Sequence, residues 1–149
     1  MYDVIIIGSG PAGISAALYT QRGGLKTLII SKGSSSLEKA HKIQNYYGLV
    51  EEISGKELYK IGIEQAKRIA VEIIEDEVVQ ISNEKNFKVT TINAEYDATN
   101  VILATGINRK ESTIKGIKEY EGKGISYCAV CDAFFFRGKD VAVIGDGNY

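Results

Sequence analysis

Val4–Ile7 is an unbroken β-branched run, and Gly8-Ser9-Gly10-Pro11-Ala12-Gly13 follows it directly. No other stretch restricts the fold as much. An apolar run of this kind reads as a strand buried on both faces. Each glycine then has a physical task. Gly8 permits a tight reversal, Gly10 lets a pyrophosphate approach the backbone, and Gly13 allows a helix to pack closely on the strand. The helix N-terminus beyond the turn faces phosphate charge. Ile14, Ala17 and Leu18 recur at helical spacing, Arg22-Gly23-Gly24 supplies a stop, and Leu25–Ile30 reads as a second buried strand. A bare Gly-x-Gly-x-x-Gly can be a packing turn; its place between a strand and a helix is what points to a nucleotide. The chain therefore reads as α/β, with a Rossmann-like dinucleotide-binding βαβ unit at its start. Such a unit normally ends its second strand on an acidic residue that holds a ribose hydroxyl. Here Ile30 runs into Ser31-Lys32-Gly33, so either Ser31 and backbone amides take that side of the ligand or the affinity is reduced.

Beyond this unit, Ser31–Asn45 is polar and without period, with a short helix near Leu37–Ala40. Ser54-Gly-Lys-Glu57 reads as a capping box that opens a helix to about Ala70, with Leu58, Ile61 and Ile69 on its inner face. Val71–Ile74, Glu77–Ile81 and Phe87–Ile92 read as short strands, the last two joined by a turn at Asn83–Asn86 in a small antiparallel meander. Thr99–Ala104 reads as another buried strand. A last strand, Val141–Ile144, leads into a second glycine turn at Gly145-Asp-Gly147, which breaks off before its helix. The expected division is 1–115 for the nucleotide-binding part and 116–149 for a redox segment with the start of a second nucleotide domain.

The only two cysteines, Cys128 and Cys131, lie three positions apart just upstream of that second turn. A closed structural zinc site wants four Cys or His ligands; with His41 the chain owns three, so a dithiol that opens and closes is the better reading. Asp132 follows at once and is placed to shuttle a proton to a leaving thiolate; the competing reading is a helix cap. Two nucleotide-type turns flanking a dithiol suggest electrons passing from a dinucleotide to a disulfide. Other conspicuous residues have plainer readings: His41 as a loop histidine, Phe134-Phe-Phe136 as core, Arg109-Lys110 as solvated surface, and Tyr46-Tyr47 as ring contacts or simple packing. Eighteen basic and nineteen acidic residues are interspersed for a net charge of −1, which leaves no basic face for nucleic acid or anionic membrane. The apolar runs are strand-sized, not membrane-sized. The start has no charged leader and cleavage site, so a cytoplasmic location is expected.

In order along the chain, Gly8-Ser-Gly-Pro-Ala-Gly13, Asn45-Tyr-Tyr-Gly48, Ala104-Thr-Gly106, Cys128-Ala-Val-Cys131-Asp132 and Val141-Ala-Val-Ile-Gly145-Asp-Gly-Asn148 resemble the N-terminal half of the low-molecular-weight thioredoxin reductases. The resemblance implies an FAD-binding fold with FAD on the first glycine turn, on the segment after the second strand (Ser31, Lys32), on Asn45, and on Ala104, Thr105 and Gly106. A backbone contact to the adenine falls near Val78. It also implies that Cys131 faces the flavin, Cys128 exchanges with a thioredoxin-like protein, and Asp132 protonates. Family members carry Gly-Gly-Gln where this chain has Gly33-Ser-Ser-Ser-Leu37. Both NADPH and ferredoxin are compatible electron donors, a peroxiredoxin-like partner and a homodimer are compatible assemblies, and a non-enzymatic redox-sensing module is the alternative outside enzymes. For the 149 residues alone the expectation is weak FAD affinity, no turnover, and a segment from about Gly124 that is mobile or borrows a neighbouring sheet.

Overall fold

The computed structural model describes residues 1–33, 35–107, 113–121 and 123–145, without the side chains of residues 130 and 131. Strand β1 (Tyr2–Ile7) leads through the glycine turn into helix α1 (Pro11–Arg22), which returns to β2 (Thr27–Ser31). After a 3-10 turn at Ser36–Lys39 come α2 (Gly55–Arg68), β3 (Glu72–Glu75), β4 (Val78–Asn83), β5 (Phe87–Thr91) and β6 (Glu95–Leu103). Two single-turn helices follow, α3 (Ile117–Tyr120) and α4 (Ala129–Asp132). The strands form one sheet in the order β3-β2-β1-β6-β5-β4. β3, β2, β1 and β6 are parallel, while β6, β5 and β4 are antiparallel. β6 serves both regimes, and fully buried Ala98 pairs with Tyr2 on one side and Phe87 on the other.

The period-2 alternation of β1 divides the core in two. Val4 and Ile6 pack with Ile29 against Ile14 and Ala17 of α1 and Ala66 of α2. Ile5 and Ile7 point the other way, with Leu28 and Ile30, onto Val89 and Ala98. β1 and β2 are thus covered on both faces, as their apolar runs require. Pro11 opens α1 at a position where a missing amide costs nothing.

Several expectations shift. β2 begins at Thr27, not Leu25, because the Leu25 amide still closes the turn after α1 by donating to Thr20 O at 3.1 Å. The Ser54 hydroxyl accepts from the Glu57 amide as expected, but the box closed in both directions lies at Ser35–Glu38, ahead of the 3-10 turn. On α2 the core stripe is Tyr59, Ile63, Ala66 and Ile69. Ile61 sits about 160° round the helix from both Tyr59 and Ile63, off this stripe, and is 46% exposed. Thr99–Ala104 is central in the sheet but not buried: Leu103 is 67% exposed. Phe134-Phe-Phe136 is not core either. It lies in a 3-10 turn, Ala133–Phe136, whose three residues per turn send three successive rings in three directions, and Phe134 is 70% exposed. Val141–Gly145 forms no strand. No described strand lies beside it, and an extended segment without a partner leaves its backbone groups to water. Gly147 of the second turn, Ser34 and Arg109-Lys110 lie outside the described residues.

Candidate functional site

The glycine turn is locked from three sides. The Gly8 amide donates to Ile30 O and the Ala104 amide to Ile7 O, each at 2.8 Å, so the ends of β1, β2 and β6 meet there. Gly8 has φ +109°, and a Cβ on it would stand 2.2 Å from Ala104 O; a Cβ on Gly13 would stand 1.9 Å from Gly8 O. A side chain at either position would force the backbone apart. Gly10 differs: its φ is −66° and the atom nearest a Cβ would be Ser35 Oγ, at 3.4 Å. The space above Gly10 is therefore open for a ligand. The first turn of α1 carries no acidic side chain, and the amides of Ala12 and Gly13 lie among the orphan donors of a helix start. This arrangement fits a dinucleotide diphosphate.

The two serines nearby are oriented by a chain of hydroxyls. Ser9 Oγ lies 2.7 Å from Ser31 Oγ and 2.6 Å from Tyr59 Oη, and Ser31 Oγ donates to Gly33 O at 3.1 Å. Each hydroxyl has one proton. Ser31 uses its own on Gly33, so it accepts from Ser9, and Ser9 in turn accepts from Tyr59. Ser9 is buried, so its side chain braces the turn, and what Ser9 can offer a ligand is its backbone. Lys32 pairs with Glu77 Oε1 at 2.6 Å on the surface. Tyr59 was not singled out in the sequence, where the inner face of its helix reads as Leu58, Ile61 and Ile69.

Asn45 lies on an exposed loop closed by the Ile43–Ile53 bridge. Lys42 and Gln44 both bind Glu52, at 2.6 and 2.8 Å, and these hydrogen bonds, Lys42's foremost, hold the Glu52 carboxyl below its usual range. Asn45 and Tyr46 line one wall of a cleft of about 340 Å³, with Pro11 and Ile14 of α1, Tyr59 of α2, and Asp132. The dithiol segment thus faces the head of the helix that follows the glycine turn. A second cleft, of about 320 Å³, joins Val78 to Ile7, Leu103 and Thr105. Of the residues named from the sequence, Gly8–Gly13, Ser31, Lys32 and Ala104–Gly106 follow the C-terminal ends of β1, β2 and β6, where ligands of open α/β sheets bind, whereas Asn45 lies in the loop before α2, Val78 opens β4, and Cys128, Cys131 and Asp132 lie in or beside α4.

Cys128 is half-buried and disulfide-bonded; the side chain of Cys131 lies outside the described residues. The Asp132 amide donates to Cys128 O at 3.0 Å, closing the single turn of α4. The Asp132 side chain makes no capping bond to the turn that follows. It accepts instead from Ser126 Oγ at 2.5 Å. Ser126 was also not singled out in the sequence, although its place two residues before Cys128 is a spacing from which a serine side chain reaches the backbone. His41 is exposed in a loop, and Tyr47 is fully exposed.

The family profile described as pyridine nucleotide-disulphide oxidoreductase matches residues 2–149. Among curated proteins, the chain is 44% identical to a thioredoxin reductase of Aquifex aeolicus, over 100% of this chain and 47% of that protein. It is 42% identical to that of Bacillus subtilis, over 99% and 48%. Among solved structures, a thioredoxin reductase from Streptococcus pyogenes superposes with a TM-score of 0.86 at 42% identity, covering 92% of this chain and 45% of that one. The chain spans about half the length of the curated relatives it matches.

Proposed function

From the premise that this chain belongs to the pyridine nucleotide-disulphide oxidoreductase family, we propose that it binds FAD and exchanges electrons with a protein disulfide of thioredoxin type through Cys128 and Cys131. The observation that carries this reading is the shared cleft, in which Asp132 of the dithiol segment stands with Pro11 and Asn45. FAD supplies two-electron chemistry when bound. Gly8, Gly10, Pro11, Ala12 and Gly13 would hold its diphosphate, with Ser31, Lys32 and Val78 toward the adenosine and Asn45, Ala104, Thr105 and Gly106 toward the flavin. Cys128 takes the outer, exchanging role and Cys131 the role next to the flavin. Asp132 gives a proton to the thiolate released when the disulfide opens. Residues 116–149 are read as the redox segment together with the start of a second nucleotide-binding unit, and NADPH and reduced ferredoxin are the two electron donors to compare.

The test has two parts. FAD titrated into the chain should show saturable binding that Gly10→Ala weakens; absence of any saturable flavin binding sinks the cofactor assignment. Cys131→Ser should trap a mixed disulfide between Cys128 and a thioredoxin-type protein, whereas Cys128→Ser should not. The opposite pattern reverses the roles of the two thiols.

A further inference from the structure

Ser126 stands at the centre of the dithiol turn, and the proposed chemistry gives it no task. Its Oγ accepts from the Cys128 amide at 3.1 Å and lies 2.5 Å from Asp132 Oδ2 and 3.3 Å from Cys128 O. A hydroxyl has one proton to donate, and the far shorter contact, to a carboxylate, takes it. A continuous path then runs from the Cys128 N–H to Ser126 Oγ, and from the Ser126 O–H to Asp132 Oδ2. We propose that Ser126 is a positioning residue that ties the Asp132 carboxylate to the backbone of Cys128, with Oδ2 occupied by the tie and Oδ1 left to carry the transferred proton. This inference rests on the reading of Asp132 as proton donor for its consequence, but the tie itself is measurable separately.

The physical need for such a tie follows from the local structure. α4 is a single turn, and the Asp132 side chain caps nothing beyond it. A carboxylate on a lone turn has several staggered rotamers open to it. The one it holds brings Oδ2 to Ser126 Oγ at 2.5 Å. Ser126 selects that rotamer from outside the turn, and its own hydroxyl is oriented by the amide it accepts from. Proton transfer requires hydrogen-bond reach, so holding one oxygen of the carboxylate in place sets where the other can deliver.

A small dithiol tests this without flavin. Its thiolate attacks the Cys128 disulfide: one S–S bond forms, one breaks, and the released thiolate takes up a proton. A second exchange frees the reductant as its cyclic disulfide, so two electrons and two protons reach the chain. With dithiothreitol as the probe, the opening rate is followed by mass change after thiol alkylation in the wild-type chain, Ser126→Ala, Ser126→Thr, Asp132→Asn and the double variant Ser126→Ala/Asp132→Asn. The expected result is a loss of about tenfold in Ser126→Ala, the scale of one hydrogen bond to a charged group, and a rate within about twofold of wild type in Ser126→Thr, which keeps the hydroxyl. The double variant should be no slower than Asp132→Asn alone, because contacting residues that act through one path are not additive. Losses that multiply in the double variant, or a Ser126→Ala chain that opens as fast as wild type, overturn the proposal. Amide hydrogen exchange at Cys128 reads the tie directly: Ser126→Ala should speed it and Ser126→Thr should not, and an unchanged amide overturns the tie. Asp132→Asn opening at the wild-type rate, with the amide still responding to Ser126→Ala, removes the proton donor and leaves the tie standing.

Discussion

Substituting alanine at two glycines of the same turn should separate folding from ligand binding. At Gly13 the new methyl would stand 1.9 Å from Gly8 O, where ordinary contact begins at 3.4 Å. Neither side can retreat cheaply. Gly8 is hydrogen-bonded to Ile30 O, and its own Cβ position is already closed by Ala104 O, while Gly13 is buried within α1 beside Ile14 and Ala17. Overpacking costs about 1–3 kcal/mol where side chains can yield and more where, as here, the methyl meets hydrogen-bonded backbone, so the roughly 1 kcal/mol from the better helix propensity of alanine offsets only part of it. For a chain of this size each 1 kcal/mol moves the midpoint by about 2–4 °C, so Gly13→Ala should melt several degrees below wild type. At Gly10 the methyl meets nothing closer than Ser35 Oγ at 3.4 Å, and φ is −66°, a region open to alanine. Losing glycine at the N-cap costs under about 1 kcal/mol, and the stiffer unfolded chain returns about 0.4–1 kcal/mol. Gly10→Ala should therefore melt close to wild type yet bind FAD at least about tenfold more weakly, because its methyl fills the space a pyrophosphate needs. Thermal unfolding by circular dichroism and flavin fluorescence titration measure the two effects. A Gly13→Ala chain that melts with wild type, or a Gly10→Ala chain that binds FAD equally well, would refute the reading of the turn.

Tyr59→Phe removes the hydroxyl at the head of the Ser9–Ser31 chain and leaves buried Ser9 short of a donor; urea unfolding should show a loss of about 1 kcal/mol, and no loss would mean that the chain of hydroxyls does not brace the turn. Helix α2 ends in a Schellman motif, with Val71 N bonded to Ala66 O and Ala70 N to Lys67 O, and Ala70 holds the left-handed position at φ 63° that glycine usually fills. Ala70→Gly should stabilise the chain by up to about 1 kcal/mol, and a lower unfolding midpoint would contradict this. The Tyr2 hydroxyl is pushed from 10.0 up to about 12, first by partial burial and then by its hydrogen bond to Glu72. The folded chain holds this proton more tightly than the unfolded one, so the contribution is whole below pH 10, fades as pH rises toward 12 and is absent above it. Wild type should accordingly lose stability faster than Tyr2→Phe between these limits, and parallel pH profiles would show that Tyr2 contributes nothing.

Features set by near neighbours in the chain were legible from the residues. The β-branched run of β1, the glycines at 8, 10 and 13, and the stop after Arg22 act over a few residues, so β1, α1 and β2 stand within two positions of where they were expected. The turn at Asn83–Asn86 followed in the same way. Errors gathered where burial depends on distant partners. Leu103, Phe134 and Val143 are apolar by composition and yet exposed, because an apolar residue is buried only if another element arrives to cover it.

The sequence by itself determined that a strand, a tight glycine turn and a helix would follow one another, since backbone sterics at Gly8 and Gly13 operate on the spot. Tertiary structure alone decided that β6 would lie beside β1, about ninety residues away in the chain, and so bring Ala104 over the turn. It also decided that Tyr59 would brace Ser9, that Ser126 would reach Asp132, and that Asp132 would share a cleft with Pro11. These contacts join side chains whose separation is set by how sheet and helices pack, and no local periodicity encodes that distance.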